Sequence, residues 1–258
     1  MDRASIIMPA YNEEKRIGKT LETYSNYFNK LEMDKKLDYE ILVVINNTRD
    51  KTEEIVKKYA KINKNIKYLN FKQGGKGFAV IEGFKDALRR ENNIIGFVDA
   101  DMATTPEYFY KLIENIGSYD GAIASRYIKG SVIGPKPNIQ RLIAKKFFNM
   151  LVRILLFLPY KDTQCGAKVF RRECIENVLN NIGMSQWAFD VDLLYSMRKA
   201  GFRIKEVQTK WADKEYSKIN FWKAGPWMVL GVLRLRIFNS PMKRFIRIYD
   251  KFLRVLQK

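Results

Sequence analysis

The 258-residue chain contains no histidine, which removes imidazole as a metal ligand, a general base or a partner to a nucleophile. It has two cysteines, Cys165 and Cys174, and their spacing is not that of a metal site. So few thiols argue against a disulfide framework and fit a reducing compartment. Long apolar runs are also missing. A bilayer span needs roughly 18–20 such residues, and the stretch from Phe147 to Leu158 is too short and is broken by Arg153. The pattern of a secretory leader is absent at the start, where Ser5-Ile6-Ile7-Met8-Pro9 reads as a first strand. The expected location is therefore the cytoplasm. Repeats, low-complexity segments and Gly/Ser linkers do not occur.

With 47% hydrophobic residues the chain can bury a full core as one domain, with room for an appendage. Its formal net charge of +19 is unevenly placed. Residues 1–125 carry 20 Lys/Arg against 19 Asp/Glu, and residues 126–258 carry 27 against 9. The second half is thus built to meet an anionic surface or substrate. No stacking-aromatic or groove-reading motif accompanies the charge, so nucleic acid is not the expected partner.

Short apolar runs alternate with helical patterns through the first half. Strands are predicted at Ile6–Pro9, Ile41–Ile45, Ile66–Leu69 and in the run ending at Asp99. Helices are predicted from about Arg16, over Lys51–Ala60, over Phe78–Arg90 and from Pro106. Such alternation predicts an α/β fold with a mostly parallel sheet flanked by helices, whose ligands collect beyond the carboxyl ends of the strands.

Asp99 and Asp101 stand at one such end, after Ile94-Ile95-Gly96-Phe97-Val98. Two residues apart on a strand, their side chains point to the same side. Paired hard oxygen ligands suit Mg²⁺ or Mn²⁺ gripping a diphosphate; a solvated turn with two chance aspartates is the plainer alternative. Gly74-Gly75-Lys76-Gly77 could cradle phosphate at a helix start, although it lacks the spacing and hydroxyl of a P-loop. Further on, Lys243, Arg247, Lys251, Arg254 and Lys258 recur at helical spacing opposite Phe245, Ile248, Tyr249, Phe252 and Leu256. This basic amphipathic helix, preceded by Trp222, Trp227 and the apolar run Met228–Leu233, fits a membrane interface or a terminal helix packed on the domain.

Taken together, Met8-Pro9-Ala10-Tyr11-Asn12-Glu13-Glu14, the stretch from Glu40 to Thr52 and Asp99-Ala100-Asp101 resemble the inverting GT-A glycosyltransferases of family 2. Asp162-Thr163-Gln164-Cys165-Gly166-Ala167-Lys168-Val169-Phe170 and Trp187-Ala188-Phe189-Asp190-Val191-Asp192-Leu193-Leu194-Tyr195 are similar to the dolichyl-phosphate glucosyltransferase branch. The resemblance covers roughly residues 4–220, with the motifs in order.

It implies a GT-A catalytic domain over residues 1–218 and a basic amphipathic, membrane-associating tail over 219–258. It implies a nucleotide-sugar donor, UDP-glucose first, held by Pro9, Tyr11, Asn12, Glu13, Asn46, Lys76 and Asp99, with Mg²⁺ or Mn²⁺ on Asp101 and Asp99. The acceptor is a polyprenyl or dolichyl monophosphate met by Arg126, Arg141, Lys214 and Lys218, and the protein is peripheral on the inner face of the membrane. Asp101, Arg126, Asp190 and Asp192 are the catalytic candidates. The two aspartates at 190 and 192 fit either a base and acceptor role or simple stabilisation of a helix start. GDP-mannose as donor, a soluble saccharide as acceptor, and a non-catalytic nucleotide-sugar binder are the alternatives. One departure stands out, because Asn46 occupies the place of an expected base-contacting aspartate. Its amide, which both donates and accepts, is expected to read uracil.

Overall fold

Alternating residues send β1 (Arg3–Ala10) into two cores at once. Ile6 and Met8 face one side of the sheet and Ile7 the other, as period two requires. The computed structural model describes residues 1–134, 139–182, 188–212 and 221–246; the side chains at 139–145, 221–224, 242 and 245 lie outside this description. After β1 come α1 (Ile17–Met33), β2 (Asp38–Asn46), α2 (Thr52–Ile62), β3 (Ile66–Phe71), α3 (Lys76–Leu88), β4 (Ile94–Val98), α4 (Pro106–Glu114) and β5 (Gly121–Ser125). The second half adds β6 (Val132–Gly134), α5 (Ile139–Leu156), β7 (Ala167–Arg171), α6 (Arg172–Val178), α7 (Phe189–Lys199), β8 (Ile204–Gln208), β9 (Lys210–Ala212) and α8 (Phe221–Phe238).

Seven strands form one sheet in the order β3-β2-β1-β4-β7-β5-β8. Only β7 runs antiparallel to its neighbours β4 and β5, so the sheet is mostly parallel, as the alternation predicts. One face is covered by Leu21, Tyr24 and Phe28 of α1, Val56 of α2 and Phe109 and Leu112 of α4. The other is covered by Phe84 of α3, Val152 of α5, Ile175 of α6, Leu194 of α7 and Val232 of α8. The segment expected as a tail thus begins with a helix that places Met228 and Val232 in the core. Most of the basic helix expected after it, from Arg247 onward, lies outside the described residues.

Strand order reverses between β1 and β4, and that point opens the crevice. Their pairing stops at Ile7 and Phe97, while β1 continues beside β2 to Ala10. Pro9, which has no N–H for a ladder on that side, falls after the last β4 partner. Asp99 and Asp101 differ from the expectation in one respect: β4 ends at Val98, and both lie in the turn beyond it. They are gathered by a folded loop and not by the pleat of a strand.

Helix α3 lies flush on the sheet because Gly83 has no side chain. A Cβ there would sit 2.5 Å from Cγ2 of the fully buried, β-branched Ile7. Alanine in place of glycine normally favours a helix by about 1 kcal/mol, yet overpacking a rigid core costs about 1–3 kcal/mol. Gly83→Ala is therefore expected to lower stability in urea unfolding, and a raised midpoint would contradict this packing.

Candidate active site

Two loops at the ends of β1 and β2 are stitched together by short polar side chains. Backbone N–H groups of Asn12 and Glu13 donate to the Thr48 and Thr52 hydroxyls at 3.3 and 2.7 Å. The N–H of Arg49 donates to Asn12 Oδ1 at 2.8 Å. Asn12 and Asn47 adopt positive φ of 52° and 50°, conformations that asparagine tolerates better than most residues. Glu13 is gripped by Arg16 through two hydrogen bonds of 2.7 Å, and Tyr11 stands exposed at the rim.

Asn46 explains its own departure from aspartate. Its Nδ2 donates to the Ala10 carbonyl at 3.0 Å and its Oδ1 accepts from the Gly75 N–H at 3.1 Å. A carboxylate could make the second bond but has no proton for the first. The side chain is buried and joins three loops, so the expected reading of uracil gains no support from this geometry.

The Asp99–Thr104 turn is pinned from beneath by α1. Thr20 donates to the Ala100 carbonyl and the buried Tyr24 hydroxyl to that of Thr104, each at 2.8 Å. Asp101 Oδ1 accepts from the Ala103 N–H at 2.9 Å across Met102, whose φ is +60°. A left-handed methionine is strained backbone, here beside a candidate ligand. Burial, then the charge of Asp99, push the Asp101 carboxyl above the usual carboxylate range. Asp101 thus lies within electrostatic reach of Asp99.

Lysine ammonium groups answer that charge. Lys76, in the first turn of α3, places Nζ 2.7 Å from Asp99 Oδ1 and 3.6 Å from Asp190 Oδ2. Lys168, fully buried on β7, donates to Asp190 Oδ1 at 2.6 Å and to the Cys165 carbonyl at 2.7 Å. Both ammonium groups lie over the Phe97 ring, at 5.6 and 5.3 Å from its centroid. Burial opposes the charge of Asp190, but Lys168 and then Lys76 outweigh it and hold the carboxyl below its ordinary range. Asp192, two residues further on, leaves α7 on the opposite side and is buried.

Three glycines permit this closeness. Gly75 has φ 120°, and a Cβ on Gly77 would meet Phe189 at 2.8 Å, so α3 and α7 start side by side. At Gly166 a Cβ would fall 1.8 Å from Asp99 Oδ2, while its carbonyl accepts the Asp99 N–H at 3.0 Å.

Arg126 follows β5 and is held by Asp162. Its Nε and Nη2 donate to the two carboxylate oxygens at 2.7 and 2.8 Å, and its backbone N–H donates to Oδ2 at 3.0 Å. Its guanidinium lies 5.1 Å from the ring centroid of Trp211. Burial would raise Asp162, but Arg126 overcomes it and holds the acid below its normal range. Asp162 and Lys168 carry no local signal of a site role in the sequence, because both roles depend on non-local partners. The other acceptor candidates are less fully placed. Arg141 belongs to α5, its side chain outside the description, and Lys214 and Lys218 lie outside the described residues.

Two outcomes follow. Gly166→Ala is expected to displace the Asp99 side chain and lower turnover at least about tenfold with little change in circular dichroism. Asp162→Asn is expected to cost about 3–5 kcal/mol at neutral pH, since it leaves a buried guanidinium without its counter-charge. The folded pKa of Asp162 lies below its unfolded value near 3.9, so the stabilisation is full above that value and lost as pH falls through the lower one. Urea titrations should therefore show the gap between wild type and Asp162→Asn narrowing as pH falls below about 4.

Residues 5–179 match the family described as Glycosyl transferase family 2. The chain is 33% identical over 221 residues to a dolichyl-phosphate beta-glucosyltransferase of Trichomonas vaginalis, covering 83% of this chain and 67% of that protein. It is 31% identical over 242 residues to the enzyme of that name from Dictyostelium discoideum, covering 90% and 73%. Among solved structures it resembles glucosyl-3-phosphoglycerate synthase from Mycobacterium tuberculosis in complex with Mn²⁺, UDP and glucosyl-3-phosphoglycerate. That likeness has a TM-score of 0.67 at 16% identity and covers 93% of this chain and 82% of that one. Staphylococcus aureus TarS in complex with UDP-GlcNAc resembles it with a TM-score of 0.58 at 19% identity, covering 98% and 72%. The sheet, its crevice and the match along most of the chain lead to one assignment: this protein belongs to glycosyl transferase family 2, with the GT-A fold.

Proposed function

We propose that this glycosyltransferase moves glucose from UDP-glucose to the phosphate of a polyprenyl or dolichyl monophosphate, with inversion at the anomeric carbon. The observation that carries the reading is the state of Asp190. Lys168 and Lys76 keep it ionised and weakly basic. Sugar hydroxyls need a base within hydrogen-bond reach, whereas the second ionisation of a phosphate monoester lies near about 6, so such an acceptor arrives already anionic. A site whose central carboxylate is so poor a base suits an acceptor that needs none. The names of the relatives supply the sugar and the lipid.

Mg²⁺ or Mn²⁺ fits the residues present. Asp99 and Asp101 are hard oxygen donors in one turn, within electrostatic reach of each other, and Asp99 already draws a cation, Lys76. Among the described residues no three acids cluster as a complete ligand set, which accords with ions that take one or two carboxylates and complete their shell with substrate phosphates. When bound, the ion supplies charge for the departing diphosphate. Lys76 adds a protonated ammonium on the same side, since Asp190 and Asp99 outweigh its burial and raise its pKa. Pro9, Tyr11, Asn12 and Glu13 form the rim on which the nucleoside would rest.

The proposed place of work is the inner face of a membrane. No helix among the described residues is long and apolar enough to cross one. Helix α5 nevertheless turns Phe147, Met150 and Ile154 outward at the spacing of one helical stripe, and Phe157, just past its end with φ of 54°, is exposed beside them, each of the four at least half exposed. One cation meets this group directly, since Arg236 lies over the Phe157 ring, and Lys243 lies over the exposed ring of Phe238 at the end of α8. Each lysine or arginine near an anionic leaflet contributes about 1 kcal/mol.

A donor panel of UDP- and GDP-sugars, assayed with polyprenyl phosphate and Mg²⁺ or Mn²⁺, tests the activity. UDP-glucose is expected to lead, and Asp101→Ala to lower turnover by at least about a hundredfold. Preference for GDP-mannose, transfer to free saccharides, or nucleotide-sugar binding without turnover would each replace this reading with its named alternative. Flotation with anionic vesicles tests location. Phe147→Ser combined with Ile154→Ser and Phe157→Ser, or loss of residues 240–258, is expected to reduce binding while UDP affinity is retained; unchanged flotation in both would remove the membrane claim.

A further inference from the structure

Building on the function proposed above, we infer that Lys76 is an internal counter-cation that holds a divalent ion off Asp99 until a donor diphosphate draws the ammonium away, so that metal and donor bind as one unit. The position of Lys76 is set by the backbone, with Gly75 at φ 120° before it and Gly77 pressed against Phe189 after it. Its ammonium therefore enters the site from the first turn of α3 and reaches Asp99 at 2.7 Å. A divalent ion on Asp99 must compete for oxygen lone pairs that this lysine occupies.

The lysine also has somewhere to go. Asp190 Oδ2 lies 3.6 Å from Nζ, and the other oxygen of that carboxylate is fixed by the buried Lys168 at 2.6 Å. Leaving Asp99 thus keeps Lys76 beside one acid that cannot follow it. With its side chain 34% exposed, the ammonium is within reach of an incoming anion, whereas Lys168 at 0% is not.

Charge balance points the same way. Asp99 and Asp190 meet the ammonium groups of Lys76 and Lys168 directly, and Asp101 lies within electrostatic reach of Lys76 and of Arg16, itself paired with Glu13, which leaves one net negative charge over the group. A divalent ion alone would turn that into a net positive charge around a lysine already in place. A nucleotide-sugar diphosphate, with one negative charge on each phosphate, would restore the original balance when it arrives with the ion. Where charges stand this close, the balanced pair of arrivals is favoured over either alone.

The test is Mn²⁺ binding followed by electron paramagnetic resonance on the full chain, with and without UDP, for wild type, Lys76→Met, Lys76→Gln and Lys76→Arg. A charge within about 4–6 Å changes a carboxylate's proton affinity by one to three pKa units, and a metal ion competes for the same lone pairs. Without UDP, Lys76→Met and Lys76→Gln are expected to bind Mn²⁺ at least about tenfold more tightly than wild type, and Lys76→Arg to behave as wild type. UDP is expected to strengthen Mn²⁺ binding strongly in wild type and much less in the two neutral variants. Equal or weaker Mn²⁺ binding by both neutral variants, with UDP still strengthening wild type, would overturn the inference and leave the proposed function standing. Failure of every protein to bind Mn²⁺ even with UDP would overturn both.

Discussion

Asp190 between two lysines is the contact on which the crevice depends. One of its oxygens is held by Lys168 from inside the sheet and the other faces Lys76 at the mouth. Buried acids and ammonium groups are each costly alone and tolerable only as a satisfied set. Here the set spans α7, β7 and α3 and ends on Asp99 beyond β4. Losing the middle carboxylate would leave Lys168 buried with a carbonyl for company and would free Lys76 to collapse onto Asp99 alone. The arrangement also fixes the chemical character of Asp190, because an acid stabilised by two cations is a weak base.

The segment Asp162–Lys168 distributes these constraints along seven residues. Asp162 locks Arg126 after β5, Cys165 lends its carbonyl to Lys168, Gly166 yields its side-chain space to Asp99, and Lys168 reaches Asp190. Burial pushes the Cys165 thiol up to about 12, so it is an inert part of the wall and not a nucleophile. Asp162, Gly166 and Lys168 each answer to a different neighbour, which is why the motif reads as a unit although no single residue in it is distinctive.

Much of the architecture was legible because it is written in local periodicity. The strands beginning near Ile6, Ile41, Ile66 and Ile94, the helix after the glycine loop and the helix opened by Pro106 all follow from patterning and helix signals. Boundaries moved by a few residues, and one such shift mattered: with β4 ending at Val98, Asp99 and Asp101 are positioned by a turn held by Thr20 and Tyr24, which no spacing rule reports. The antiparallel β7 between β4 and β5 was equally hidden, since strand order is a property of tertiary pairing. For the same reason Lys168 and Asp162 read as an ordinary strand lysine and a loop acid. Asn46 was visible as a departure, but its reason lies in the carbonyl of Ala10 and the N–H of Gly75, both distant in sequence.

Insertion of β7 has a further consequence for how the two halves of the chain relate. The first half is balanced in charge and carries the loops after β1 and β2, and the second carries the basic excess. A simple division of labour would let each half act alone, yet the second half sends Lys168 and Asp190 back among the strand ends of the first. The basic surplus is accordingly of two kinds. Lys168 and Arg126 are enclosed and paired, so their charge is unavailable to any surface. Arg153, Arg236 and Lys243 stand around the apolar stripe of α5 or the ring of Phe238, where charge acts outward over about a Debye length. Substitutions of the first kind therefore reach the crevice through the sheet, and those of the second act on the outer surface alone.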